Sequence, residues 1–126
     1  MRLLIALALL PLAGCVTDRM TPDEELADVI GNRVAQAPVD CVSTSVLDQP
    51  RIIDKQTIVY RRTGTIYVNR LRAECPGLNP YTTLITEVRG GQLCRSDLVS
   101  TLDPGTTIPG PKCQLGQFTP YTLPKN

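Results

Sequence analysis

The chain runs to 126 residues with 13 basic and 12 acidic side chains, no histidine and no tryptophan. That length suits one small domain, and the missing histidine excludes any mechanism in which this chain supplies an imidazole base or ligand. A net charge of +1 offers no bulk attraction to nucleic acid, and with aromatics at 4% a core has to be built mainly from Leu, Ile and Val.

Met1 and Arg2 place one positive charge before an unbroken apolar run, residues 3–10, which Pro11 closes just ahead of Leu12-Ala13-Gly14-Cys15. Eight apolar residues reach about 12 Å as a helix, far short of the roughly 30 Å hydrocarbon layer, so the run is expected to be an export signal and not a membrane span. Residues 1–14 are assigned to that signal.

Leu12 to Cys15 resembles the lipobox of bacterial lipoproteins. The resemblance implies cleavage before Cys15, lipidation of its thiol, and a chain held at a membrane by a lipid anchor. Three acyl chains would make the attachment effectively permanent. Val16, where aspartate would signal retention, implies the outer membrane, facing the periplasm.

Residues 15–40 are expected to form a tether and one amphipathic helix. Thr21 stands as N-cap, Pro22 at the first helical position, and Glu24 where a capping box needs it. Leu26, Val29, Ile30 and Val34 fall three and four apart and predict one apolar stripe, weakened by Gly31 and closed by Pro38. The stripe is expected to dock on the chain's own domain. Asp23, Glu24, Glu25 and Asp28 on the polar face disfavour an anionic lipid surface.

From residue 41 to 126 the pattern changes to short β-branched runs broken by Gly, Pro and Asn. Strands are predicted over residues 57–60, 65–69, 81–88 and 98–102, with a last one over 114–118. The first two are predicted to form an antiparallel hairpin turning at Arg61 to Gly64. The fold class is mainly β, a small antiparallel barrel or sandwich. Pro104, Pro109, Pro111, Pro120 and Pro124 predict an irregular, covered or trailing C-terminal segment.

Setting Cys15 aside leaves Cys41, Cys75, Cys94 and Cys113, an even number in an exported chain and therefore two expected disulfides. A four-cysteine zinc site would bring its ligands in close pairs, and these gaps hold 33, 18 and 18 residues. Three connectivities are open. The preferred one joins Cys75 to Cys94, closing a hairpin-like excursion, and Cys41 to Cys113, tying the ends of the domain.

Arg51-Ile52-Ile53-Asp54, Tyr67-Val68-Asn69, Cys75-Pro76-Gly77-Leu78 and Cys113-Gln114-Leu115-Gly116-Gln117-Phe118 occur in an order that resembles a family of small proteobacterial proteins of unknown function. The likeness covers residues 41–120. It implies an exported domain and brings no activity with it.

Charge is unevenly distributed. Residues 16–50 hold seven acids against two bases, net −5, and residues 51–95 hold eight bases against three acids, net +5. Arg61, Arg62, Arg70 and Arg72 are the candidate anion-binding residues of a basic face, because guanidinium forks suit the phosphates and carboxylates of envelope polyanions. The competing expectation is a solvated face, or one covered by the acidic helix. Asp54, Glu74 and Asp97 are the carboxylates a hydrolase would use, although they are scattered in sequence. Ser96 has no histidine to activate it and no Ser-x-x-Lys pattern, and Cys-x-x-Cys is absent. No catalytic residues, metal or cofactor are therefore expected. The function indicated is a lipid-anchored binding or structural module of the cell envelope, with a membrane and a polyanion or protein as partners and no nucleic acid. The alternatives are an inhibitor of a lytic enzyme or protease, using the exposed loop at Arg61 to Gly64 or Asn79 to Tyr81, and a small carboxylate hydrolase.

Overall fold

The computed structural model describes residues 14–15 and 17–126. The apolar run of the export signal and the sorting position Val16 lie outside the described residues. Among the described residues no helix is long and apolar enough to cross a membrane.

The described residues fold as helix α1 (Pro22–Ile30) and ten short strands. Thr21 caps the helix as its sequence predicts. Its hydroxyl accepts from the Glu24 N–H, and the Glu24 carboxylate accepts from the Thr21 N–H at 2.7 Å. The Thr21 N–H, and then its hydroxyl, hold the Glu24 carboxyl below the usual glutamate range. The helix ends one full turn earlier than the apolar stripe. Gly31 takes φ 61° and returns its N–H to the Ala27 carbonyl, a left-handed stop that glycine adopts without a Cβ clash. Val34 therefore leaves the stripe and lies exposed on a strand, which corrects the expected closure at Pro38.

The largest sheet has five strands: β1 (Val34–Ala35), β10 (Phe118–Thr122), β5 (Thr65–Arg70), β4 (Thr57–Arg62) and β3 (Arg51–Ile52), in that spatial order and antiparallel throughout. β4 and β5 form the predicted hairpin, pairing Thr57 with Arg70 through to Arg62 with Thr65 around the turn at Thr63-Gly64. Two smaller antiparallel sheets complete the fold: β2 (Cys41–Ser43) with β7 (Gln92–Cys94), and β8 (Leu98–Leu102) between β6 (Thr83–Thr86) and β9 (Cys113–Gln114). The architecture is mainly β and sandwich-like, and among the described residues no barrel closes.

Strand alternation sorts the core into two layers. Val59, Ile66, Val68 and Ile53 face the helix and receive Leu26 and Val29. Burying those two side chains contributes about 1.5–3 kcal/mol each. On the opposite face Ile52, Ile58, Tyr60 and Phe118 pack against Val42, Leu93 and Val99 of the smaller sheets, with Leu71, Leu78 and Leu115 filling between. Tyr60 and Phe118 meet edge to face, with ring centroids 5.7 Å apart.

The disulfides join Cys41 to Cys94 and Cys75 to Cys113, which corrects the preferred pairing. β7 pairs with β2 in a register that sets Cys94 directly opposite Cys41. The Arg95 N–H to Asp40 C=O bond one step along makes the cysteine pair a non-hydrogen-bonded one, where side chains approach most closely. β9 lies beside β8 at the edge of the other small sheet, carrying Cys113 to Cys75. Loop closure over 53 and 38 residues contributes about 4 kcal/mol for either link alone. The loops interleave, so the two contributions do not simply add.

The proline-rich C-terminus is corrected in part: residues 103–112 and 123–126, with Pro104, Pro109, Pro111 and Pro124, are irregular as expected, and the departure is at Pro120. Residues 118–122 form an interior strand despite Pro120. The Pro120 carbonyl accepts from the Gln36 N–H on the β1 side, so its missing donor faces that side too and the ladder to β5 is intact. The segment is locked in place by Asn69, which is fully buried. Its Nδ2 donates to the Gly116 carbonyl at 2.8 Å and its Oδ1 accepts from the Gly116 N–H at 2.9 Å. A Cβ on Gly116 would overlap the Arg70 carbonyl oxygen.

Two outcomes are expected. Asn69→Ala leaves a buried peptide group unpaired and should cost about 1–3 kcal/mol in chemical denaturation, and Gly116→Ala should cost more because backbone must move. Non-reducing peptide mapping should recover Cys41–Cys94 and Cys75–Cys113 fragments and no Cys75–Cys94 fragment.

Candidate binding site

A surface cleft of about 710 Å³ lies at the N-terminal end of α1, between the tether and the loops around Ile53 and Leu78. Arg51 crosses from β3 to the helix and pairs with Glu25, Nη2 to Oε1 at 2.6 Å. This is the acidic helix lying over one of the central bases. An exposed pair of this kind adds little stability, but it sets the wall of the cleft. A second groove of about 540 Å³ continues past the same pair, along Ile52 and Leu84.

The rim is formed by residues 77–82. Pro76 and Gly77, at φ 85°, make a turn closed by the Leu78 N–H to Cys75 C=O bond, which ties the rim to the buried disulfide. Asn79 Oδ1 accepts from the Tyr81 N–H at 2.9 Å, Asn79 Nδ2 donates to the Gly77 carbonyl, and the Thr82 hydroxyl is within hydrogen-bond distance of the Gly77 and Asn79 carbonyls. This local network holds Tyr81 out from the surface at 77% exposure. It also shortens the strand predicted over 81–88 to residues 83–86, because asparagine and threonine side chains here satisfy the backbone in a turn.

The four arginines occupy different places. Arg62 pairs with Thr65 and Arg70 lies five residues further along β5, about 17 Å away. Arg61 and Arg62, adjacent on one strand, point to opposite faces. Both are exposed at the hairpin tip and make no ion pair among the described residues. Arg70 donates to the Thr57 hydroxyl and lines a cavity of about 250 Å³ with Asp54 and Glu74, whose carboxylates offset its charge. Arg72 reaches Ser96 instead.

Of the three carboxylates, Asp54 and Glu74 are thus brought to one cavity and Asp97 is not. Asp54 Oδ1 accepts from the Gln56 N–H, and Asp97 Oδ2 from the Cys94 N–H at 2.7 Å, so both brace turns. Ser96, in the second of these turns, has φ 71°. Among the described residues no group of three or more His, Cys, Asp or Glu side chains is placed to hold a metal ion.

Several motif residues serve the fold. Asn69 binds Gly116, Cys75 binds Cys113, and Leu78, Leu115 and Phe118 are buried. Residues 1–123 match DUF6491, a family of unknown function. The chain belongs to that family. No curated protein and no solved structure matches it. What these motifs secure in this DUF6491 member is the fold, while the cleft, its rim and the hairpin tip lie mostly outside them. Sequence reasoning singled out the Asn79 to Tyr81 loop but missed the cleft, which exists because Glu25 and Arg51 meet across 26 residues of chain.

One buried group serves neither motif nor cleft. Among the described residues the Tyr60 hydroxyl meets no hydrogen-bond partner, and burial pushes its pKa well above the usual phenol value, an effect that nearby Thr86 partly offsets. The unfolded chain ionises above about pH 10 while the folded chain resists, so stability drawn from neutral Tyr60 is complete below that pH and is lost as pH rises beyond it. Tyr60→Phe should therefore raise the denaturation midpoint at pH 7, by about 1 kcal/mol, and flatten the decline between pH 10 and 12. Ser96→Gly should add up to about 1 kcal/mol by relieving a left-handed backbone.

Proposed function

We propose that this DUF6491 protein is a lipid-anchored binding module of the cell envelope, tethered through Cys15 and engaging a protein partner through the Tyr81 loop and the cleft beside it. The observation that carries the binding reading is Tyr81 itself. A large exposed aromatic side chain carried on a loop whose backbone is already fixed by hydrogen bonds, at the edge of a cleft of about 710 Å³, leaves little backbone entropy to lose on binding.

The tether is supported by the Leu-Ala-Gly-Cys sequence and by Cys15, which is exposed and outside both disulfides. Residues 15–21 span at most about 20 Å when extended, and Asp18, Arg19 and Met20 line the cleft. An anchored Cys15 would keep that cleft close to the membrane surface, in the periplasm if Val16 directs the protein to the outer membrane. The module acts by binding and not by catalysis. The same rigid loop also favours a second reading, inhibition of a lytic enzyme or protease, in which Tyr81 enters the enzyme's cleft. Arg61 and Arg62 at the hairpin tip offer an acidic group on the partner a salt-sensitive contact.

Metabolic labelling with a fatty-acid analogue should mark the wild-type chain and leave Cys15→Ser unmarked, and intact mass should show loss of residues 1–14. A photo-crosslinking residue in place of Tyr81 should trap a discrete partner in the native envelope, and Tyr81→Ala should weaken its binding at least tenfold. An unprocessed chain without lipid overturns the tether, and crosslinking no stronger at position 81 than at exposed Ile108 overturns the binding surface.

A further inference from the structure

β6 is an outer strand of the three-stranded sheet and β3 an outer strand of the five-stranded one. Both border the groove of about 540 Å³ that continues from the cleft. Ladder alternation shows which backbone groups they leave open. The Glu87 N–H donates to the Leu98 carbonyl, and in that register Ile85 and Thr83 are the next residues bonded to β8. Leu84 and Thr86 therefore turn their N–H and C=O groups away from β8. Likewise the Ile53 N–H donates to the Thr57 carbonyl, so Ile52 turns its own outward. Among the described residues no group of the protein bonds to these outward donors and acceptors.

We propose that this groove takes an extended, uncharged polypeptide segment, which adds as a strand to the β6 edge. The inference rests on the binding reading above and names the partner's chemistry. Outward donors and acceptors on alternate residues, at Leu84 and Thr86, repeat about every 7 Å and match the backbone of an extended chain. β3 contributes less, since Pro50 has no donor and Ile52 supplies one pair. The groove offers a charged segment no net partner: Glu25 and Arg51 neutralise each other, and the rest of its lining, polar at Gln49, Thr82 and Thr83 and apolar at Pro50, Pro80 and Leu84, is uncharged. Tyr81 stands where the groove meets the cleft and provides a stacking surface for the end of the segment.

The test uses the full chain with two synthetic probes, acetyl-(Thr-Val)₃-amide and the same peptide N-methylated at every residue, which removes the donors of both its edges. In the free protein, hydrogen exchange should be fast at the Leu84 and Thr86 amides and slow at Ile85 and Glu87. The unmodified peptide should slow Leu84 and Thr86, and N-methylation should weaken its binding at least tenfold. Thr86→Pro removes an outward donor and leaves the β8 ladder whole, so it should also weaken the peptide tenfold with the denaturation midpoint retained. If that variant unfolds, the N-methylated probe still decides. Slow Leu84 exchange in the free chain, equal binding of the two peptides, or exchange protection confined to other edges overturns the proposal. Protection of Leu84 that grows with protein concentration alone overturns it in favour of a second copy of the chain. A partner trapped at position 81 while the peptide leaves β6 untouched would sink this inference and spare the binding surface.

Discussion

The fold depends on one reciprocal pair of hydrogen bonds, Asn69 with Gly116. Asn69 lies on the central hairpin and Gly116 in the segment between β9 and β10. Their union sets the chain on either side. Upstream, Cys113 reaches Cys75; downstream, Phe118 enters the core and residues 118–122 become an interior strand. An amide that satisfies both the donor and the acceptor of a buried peptide group fixes position and orientation together, which apolar contact alone does not. Glycine is required there because the Arg70 carbonyl occupies the space of a Cβ.

This arrangement separates what maintains the domain from what is available for recognition. The motif cysteines, Leu78, Leu115 and Phe118 lie in or beside the core and are consumed by it. The cleft, the Tyr81 rim and the outer strand β6 lean on the core through Ile53, Leu78 and Leu84, and the rest of their lining is largely at the surface. The disulfide at Cys75 links the two regions, since the turn that carries the rim begins there. A small domain poor in aromatics can hold a loop rigid at its surface because cross-links and a buried polar clasp supplement a modest apolar core.

Much of the local structure was legible in the sequence. Thr21, Pro22 and Glu24 announce the helix start because capping is a transaction among residues three apart. The β4–β5 hairpin is legible for the same reason, two β-branched runs and a glycine within one turn. The reading failed at one local point, the helix end, and otherwise where the deciding contact was distant. Gly31 carried a stop signal, but Val34 falls at helical spacing and drew the stripe too far. Pro120 reads as a strand breaker, and its tolerance depends on which neighbour its missing donor faces, a property of sheet order. The cysteine pairing likewise follows from β7 lying beside β2, which no spacing reveals.

The four sulfurs pair as two bridges, the helix start, the central hairpin and the mainly β class were determined by residue type and short-range spacing, because torsional preference, capping and alternation act within a few positions. Tertiary structure decided which sulfurs join, which arginines stand apart, how a proline-bearing segment becomes an interior strand, and where a cleft opens. These are meetings of groups distant in sequence, from 13 residues for Arg70 with Thr57 to 84 for Gln36 with Pro120, and register and packing select such meetings only when the whole core forms together.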